Sequence, residues 1–207
     1  MKKYLIGLLL AGFCQLGLAT DFKEGVQYKA IEPAPPPGTG EVVQVMEFFM
    51  YGCPHCSQLE PYLEEWLKTK PENVEFVRVP AMFGGSANMH AGAFYALEIM
   101  GEGERLHGKL FDEIHIIKNR MQTRDALEEF LASQDVDMEK FRAAMSSFTV
   151  QTKAKRAEAL MRRFEISGVP SVVVDARYRN DRLTGYSDYT ELVDFLVAKV
   201  RKDRAGS

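Results

Sequence analysis

Hydrophobic and polar residues alternate along this chain with two different periods, and the change from one period to the other outlines its elements. An apolar run at Val42–Met50 and an alternating segment at Val74–Val79 predict two core strands, and a shorter strand is predicted at Val26–Ile31. Between the two core strands, apolar residues recur at helical spacing from Pro54 to about Thr69. A strand–helix–strand unit of this length favours parallel pairing of its strands.

The pattern changes between residues 83 and 167, where helical spacing continues without a strand signal. Thr123 and Asp137 are suitable N-caps within this block, and Gly101 and Gly168 are suitable stops. The predicted helices are Asn88–Met100, Glu104–Lys118, Thr123–Gln134, Asp137–Ser147 and Thr149–Phe164. Residues 83–167 are therefore predicted to form an inserted, all-helical subdomain.

Strand patterns return after this block. Ser171–Asp175 and Tyr178–Leu183 predict a hairpin, and a last helix is expected to open at Asp188, where Glu191 completes a capping pattern. Residues 20–82 and 168–207 together then form an α/β unit that encloses the helical subdomain. The proline-rich stretch Pro33–Gly40 is predicted to be a connecting loop.

The N-terminus has the pattern of a secretory signal peptide. Lys2 and Lys3 precede an apolar segment, Tyr4–Phe13, and small residues at Gly17 and Ala19 suit a cleavage site before Thr20. An uncleaved anchor is the alternative, although the apolar segment is short for a membrane span. Residues 1–19 are therefore predicted to be removed on secretion.

Composition and charge narrow the possible functions. The 207 residues, 46% of them hydrophobic, suit one domain with an insertion. Of the three cysteines, Cys14 would leave with the signal, which leaves only Cys53 and Cys56 in an oxidising compartment. Removal of Lys2 and Lys3 changes the net charge from −3 to −5, with 24 basic and 29 acidic residues remaining. A mildly acidic chain without a basic stripe argues against a nucleic-acid partner.

The candidate chemistry lies in Cys53-Pro54-His55-Cys56, where the first core strand passes into a helix. Unpaired backbone N–H groups and the helix dipole stabilise a thiolate at a helix N-terminus. Cys53 is placed at the N-cap, and Pro54 suits the first helical position because its missing N–H costs nothing there. Cys56 lies one turn further on, within disulfide reach, so we expect only Cys53 to be accessible to another molecule.

Other uses of a CxxC motif fit less well. Structural zinc needs a second ligand pair, whereas His90, His107 and His115 are scattered over the helical block, where they suit ordinary helix positions. Covalent haem attachment needs a histidine directly after the second cysteine, and the chain has Ser57 there. An inert structural disulfide across so short a loop constrains little of the unfolded chain. The pattern therefore predicts a redox-active pair and no metal.

Two further residues bear on that pair. His55 is expected to favour the Cys53 thiolate, which makes the disulfide a stronger oxidant; the alternative is a solvent-facing helix residue. Glu47 interrupts an apolar strand. It is either a buried carboxylate with a raised pKa that exchanges protons with Cys56, or an exposed residue on an edge strand. Val169-Pro170 is explained simply as a strand that begins with proline.

The mature chain resembles the DsbA family of periplasmic thiol:disulfide oxidoreductases along nearly all its length. The resemblance rests on Glu47-Phe48-Phe49, Tyr51–Cys56, the helical block and Gly168-Val169-Pro170, and the Pro-His pair is its specific part. It implies a thioredoxin fold with an inserted helical domain. It also implies that Cys53 is the nucleophile, Cys56 the resolving thiol and Glu47 a buried acid. Val169 and Pro170, the latter a cis-proline, would face the disulfide and the substrate.

The resemblance further implies a function. The Cys53–Cys56 disulfide would be donated to newly exported proteins through a mixed disulfide, and a membrane quinone reductase, DsbB, would restore it. No flavin, nicotinamide or metal cofactor is implied, and a monomer is expected. Two rivals remain. An isomerase or reductase would use the same cysteines, but the family's isomerases add an N-terminal dimerisation segment, for which the roughly 20 residues before the proline cluster are too few. A peptide-binding chaperone would not need Cys53.

Overall fold

The architecture was analysed on a computed structural model, which describes residues 22–33, 40–181 and 185–206. The predicted signal peptide with Cys14, residues 34–39 of the proline-rich stretch, and the end of the strand predicted at Tyr178–Leu183 lie outside the described residues. No helix within the described ranges is long and apolar enough to cross a membrane.

Five strands form one mixed sheet in the order β1-β5-β4-β2-β3. The strands are β1 (Tyr28–Ala30), β2 (Val43–Phe49), β3 (Val74–Pro80), β4 (Ser171–Val174) and β5 (Tyr178–Asn180). The predicted parallel pairing of β2 with β3 is confirmed, and β4 and β5 form the predicted antiparallel hairpin. Strand β2 also pairs with β4, so it lies inside the sheet with a hydrogen-bonded neighbour on each side.

Seven helices are found among the described residues, and five of them occupy the predicted helical block. They are α1 (Pro54–Thr69), α2 (Gly85–Met100), α3 (Gly103–His115), α4 (Arg124–Ser133), α5 (Met138–Met145), α6 (Phe148–Arg163) and α7 (Tyr186–Ala205). Thr123 and Asp137 cap α4 and α5 as predicted, because each side chain accepts a backbone N–H at the helix start. The division of the chain into subdomains at residues 83 and 167 stays a prediction.

One predicted helix start and one predicted stop are wrong. Helix α7 begins at Tyr186 after an extended Gly185, so Asp188 lies in the first turn, where a carboxylate stabilises the helix dipole without acting as the cap. The predicted helix Thr149–Phe164 matches α6 to within one residue, but its stop is not Gly168, because Glu165 already turns the chain with a left-handed φ of 52°. The sequence pattern missed both features because no side chain caps α7 and a residue other than glycine makes the turn after α6.

The alternation of side chains along β2 builds a core on each face of the sheet. Val43 and Val45 belong to an apolar cluster with residues of α1 and α7, whereas Met46 and Phe48 belong to a cluster with the helical block. Glu47 follows the period of Val43 and Val45, which directs its side chain beneath α1. The sheet therefore places a carboxylate on the face that is covered by α1, the helix whose first turn contains Cys56.

Candidate active site

The two cysteines lie at the junction of β2 and α1. Cys53 is the N-cap of α1 and Pro54 its first residue, as predicted, and Cys53 has an extended backbone with φ −88° and ψ 117°. Both thiols are free, so the structure represents the reduced protein. Cys53 is 7% exposed and Cys56 is fully buried, which leaves Cys53 as the sulfur that another molecule can reach.

The two thiols have opposite electrostatic environments. A hydrogen bond from the Cys56 thiol is the largest contribution that lowers the pKa of Cys53, which falls to about 6 although burial opposes the shift. The backbone N–H groups of Cys56 and His55 and the charge of His55 act in the same direction. The same hydrogen bond, followed by burial, raises the pKa of Cys56 far above its ordinary value. Cys53 is therefore the thiolate at neutral pH, and Cys56 keeps its proton.

The residues before β4 face the reactive sulfur. The Val169–Pro170 peptide bond is cis, and the carbonyl oxygen of Val169 lies 3.5 Å from Cys53 Sγ. The side chains of Val169 and Pro170 are half-buried. A peptide attached to Cys53 would therefore lie beside a backbone segment that is not part of a strand ladder.

His55 is held by two residues that the sequence did not single out. The hydroxyl of Tyr186 lies 2.9 Å from His55 Nδ1 and donates to the Gln58 side-chain oxygen. Because that hydroxyl has one proton and donates it to Gln58, its oxygen accepts from the Nδ1–H of His55. The alternative given for His55, a solvent-facing helix residue, fits its exposure, but the Tyr186 contact also orients the ring.

We expect Tyr186→Phe to raise the apparent pKa of Cys53 by a few tenths of a unit, because a released imidazole stabilises the thiolate less well. The measurement is the rate of Cys53 alkylation by iodoacetamide against pH, for which the wild-type midpoint should fall near 6. Tyr62→Phe is the matched control, since the Tyr62 ring lies 5.9 Å from that of Tyr186 and the structure shows no hydrogen bond from it to His55. Equal midpoints in all three proteins would contradict the positioning role.

Glu47 is buried, being only 1% exposed, which is incompatible with an exposed edge-strand position. Burial is the main cause that raises its pKa to about 8; Glu60 adds to the shift and Arg78 opposes it. The guanidinium Nε of Arg78 lies 3.5 Å from Glu47 Oε2, yet neither carboxyl oxygen has a hydrogen-bond partner among the described residues. This environment favours a protonated carboxyl group that can release its proton close to neutral pH.

A buried polar cluster that the sequence did not reveal connects Glu47 to the helical block. Arg78, which is in register with Glu47 on β3, forms an ion pair with Glu60 of α1. His107 Nε2 of α3 lies 3.4 Å from Glu60 Oε1, and His107 Nδ1 lies 2.9 Å from the Tyr51 hydroxyl. Burial raises the pKa of Glu60, but its interactions with His107 and Arg78 lower it below its usual value.

Tyr51 and His107 complete this cluster as neutral groups. Burial lowers the pKa of His107 and raises that of Tyr51, so both are uncharged at pH 7. The Tyr51 hydroxyl then donates to His107 Nδ1, and the His107 Nε2 atom lies near the Glu60 carboxylate without a hydrogen-bond partner among the described residues. The sequence did offer a signal for Glu60, because this acid lies at helical spacing from the apolar residues on the buried face of α1. Nothing in the sequence pointed to His107.

The comparisons with known proteins agree with this geometry. A family model described as "DSBA-like thioredoxin domain" matches residues 69–197. The thiol:disulfide interchange protein DsbA of Azotobacter vinelandii is 36% identical over 97% of this chain and 99% of its own length. That of Pseudomonas aeruginosa is 34% identical over 97% and 98%.

Solved structures show the same likeness. The crystal structure of Pseudomonas aeruginosa DsbA superposes with a TM-score of 0.82 at 35% identity, over 89% of this chain and 97% of that one. The oxidoreductase DsbA from Xylella fastidiosa gives 0.80 at 28% identity, over 87% and 98%. The expected thioredoxin fold with its helical insertion is confirmed. From its sheet, its helical block and these relatives along almost the whole sequence, the chain belongs to the DsbA family of thiol:disulfide oxidoreductases.

Proposed function

We propose that this enzyme is an oxidant that donates a Cys53–Cys56 disulfide to exported proteins in the periplasm. The observation that carries the proposal is the contrast between the two thiols: an accessible Cys53 whose pKa is lowered to about 6, and a buried Cys56 that stays protonated. A stabilised Cys53 thiolate stabilises the reduced protein, which makes the oxidised protein a stronger oxidant.

The reaction follows from that contrast in two exchanges. A client thiolate attacks Cys53 Sγ, a client–Cys53 disulfide forms, and the Cys53–Cys56 bond breaks with Cys56 as the leaving thiolate, which takes up a proton. A second client thiolate then attacks the client sulfur of the mixed disulfide, and Cys53 leaves as its stabilised thiolate. The client loses two electrons and forms a disulfide, and the enzyme gains those electrons as a dithiol.

The stabilised Cys53 thiolate contributes part of the free energy that favours the reduced protein and so drives oxidation of the client. A thiol whose pKa falls from 9.0 unfolded to about 6 folded stabilises the reduced protein fully above pH 9, and this contribution disappears as the pH falls through 6. At pH 7 it amounts to about 1.4 kcal/mol, equivalent to roughly 30 mV for a two-electron couple. Other differences between the dithiol and disulfide forms add to this share.

The surrounding residues have distinct proposed roles. Glu47 supplies or accepts the proton that Cys56 exchanges when it leaves or attacks, for which a carboxyl pKa of about 8 is suited. Val169 and Pro170 contact the client backbone during the mixed disulfide. A membrane quinone reductase of the DsbB type reoxidises the pair, so the site's own residues need no bound cofactor, and the enzyme acts as a monomer.

Equilibration with glutathione redox buffers tests the oxidant role. We expect a potential considerably less negative than that of thioredoxin, which is about −270 mV. The free thiols should be counted by alkylation and mass measurement. Trp66, the only tryptophan, lies 13 residues beyond Cys53 on α1, roughly 20 Å away along the helix, and is a distant reporter. A potential near that of thioredoxin would make the protein a reductant and refute the proposal.

A further inference from the structure

A cationic pocket adjoins the active-site turn. It encloses about 410 Å³. Six of the residues that line it are Gly52, Pro54, His90, His115, Lys118 and Arg120. No Asp or Glu lines it within the described residues, although acidic residues outnumber basic ones in the whole chain by 29 to 26. A pocket that is lined by basic but not by acidic side chains, beside the reactive cysteine, is therefore unusual for this protein.

Two histidines connect the cationic loop, which consists of residues 116–120, to the active site and to α2. His115 is the last residue of α3, and its Nε2 atom lies 2.7 Å from the carbonyl oxygen of Tyr51, two residues before Cys53. At the far end of the loop, His90 Nε2 lies 2.8 Å from the carbonyl oxygen of Met121. Carbonyl oxygens only accept, so both imidazoles donate through Nε2–H. Residues 116–120 are thus held at a fixed place beside Pro54.

The positively charged side chains of this loop are available to a ligand. Lys118 and Arg120 are exposed, and neither forms an ion pair with a described acidic residue. Lys118 Nζ donates to the carbonyl oxygen of His115, which leaves other N–H groups for a ligand. Glu113 of α3 accepts a hydrogen bond from Asn119 of the same loop. By contrast, Arg105, Arg124 and Lys140 are all paired with acids on their own helices.

We propose that this cationic pocket binds an aspartate or glutamate side chain of the client, within three residues of the client cysteine. The inference rests on the proposed function, because the mixed disulfide is what places the client chain beside Pro54. Three extended residues span about 10 Å, enough to reach from Cys53 Sγ into a pocket that Pro54 lines. Exposed opposite charges act mainly on the rate of encounter and on its salt dependence.

The test compares dithiol peptides that differ only in having Asp, Gln or Lys two positions from one cysteine. The second-order rate of their oxidation by the oxidised full-length protein is measured by acid quench and mass. Each rate is divided by that of the same peptide with 2-hydroxyethyl disulfide, which removes the effect of the charge on the peptide's own thiol. We expect a normalised Asp-to-Lys ratio of about five at low salt that approaches one at high salt.

Charge variants test whether this pocket is the site that binds the client carboxylate. Lys118→Gln/Arg120→Gln should bring the ratio close to one, and Lys118→Glu/Arg120→Glu should invert the preference. Lys155→Gln/Lys202→Gln is the matched control, because it removes the same charge from exposed residues that do not line the pocket. Lys202 lies 16 residues beyond Tyr186 on α7, roughly 24 Å along the helix.

Three results would overturn the inference. An Asp-to-Lys ratio that is unchanged in Lys118→Gln/Arg120→Gln removes the client carboxylate as the occupant. If that variant also loses binding to vesicles containing phosphatidylserine, the occupant is a lipid headgroup instead. If the wild-type protein oxidises none of the peptides, the proposed function itself fails, and this outcome is distinct from oxidation without charge preference.

Discussion

Cys53→Ser is expected to reduce the rate of client oxidation by a factor of roughly 10³ or more, because the serine hydroxyl can form no disulfide. Cys56→Ser should abolish turnover in a different way. It keeps the Cys53 thiolate, which can attack an existing disulfide of a client or of oxidised glutathione, release one thiolate and form a mixed disulfide that Cys56 can no longer break. The measurement is non-reducing electrophoresis of protein trapped by acid, together with the rate of oxidation of a reduced client.

The two serine variants also separate reactivity from folding. The Cys56 thiol is the largest contribution that lowers the pKa of Cys53, so the alkylation midpoint of Cys53 in Cys56→Ser should move above 6. Thermal unfolding of both variants in the reduced state serves as the control for structure. Full cellular function in Cys53→Ser would contradict an oxidase and favour the chaperone alternative.

Glu47→Gln is expected to stabilise the reduced protein by about 3 kcal/mol at pH 7. The carboxyl pKa is raised from 4.5 to about 8 on folding, so between these values the native state keeps a proton that the unfolded state has released. Wild-type stability therefore falls as the pH rises through this window, by about 1.4 kcal/mol per pH unit. Glutamine cannot ionise and avoids this loss.

Urea unfolding at pH 4.5, 6 and 7 measures the effect, and the difference between variant and wild type is the quantity to follow. It should be near zero at the lowest pH and grow with pH, whereas Cys53 contributes equally to both proteins and cancels. Glu72→Gln, an exposed carboxylate beyond α1, is the matched control and should follow the wild type. A constant difference between Glu47→Gln and wild type across the range would show that Glu47 ionises normally.

Local chemistry accounts for the parts of this protein that were predictable. The bounds of α1, its Cys53 N-cap and the parallel β2–β3 pair follow from apolar spacing, a proline at the first helical position and a short crossover. These signals act over a few residues, and no distant contact overrides them. Cys53, Pro54, His55 and Cys56 could therefore be placed correctly at a strand-to-helix turn from the sequence alone.

The remaining residues of the site depend on contacts between distant segments. Arg78 belongs to an alternating strand and reads as a solvent-facing residue until the register with Glu47 is known. His107 reaches Tyr51 across 56 positions, and Tyr186 reaches His55 across 131. The cis form of Val169–Pro170 also has no local signature, and only the family resemblance led us to expect it.

The pairing of β2 with β4 determines when this enzyme can acquire its chemistry. Val45 on β2 pairs with Val174 on β4, about 130 positions later, so ribosomal synthesis must proceed through most of the chain before the middle of the sheet can close. Helix α1 packs against α7, which follows all the other described helices in the sequence. Until these segments meet, Cys53 and Cys56 are ordinary thiols of an unfolded chain. The low pKa of Cys53 therefore depends on contacts that form only after β4 and α7 have been synthesised.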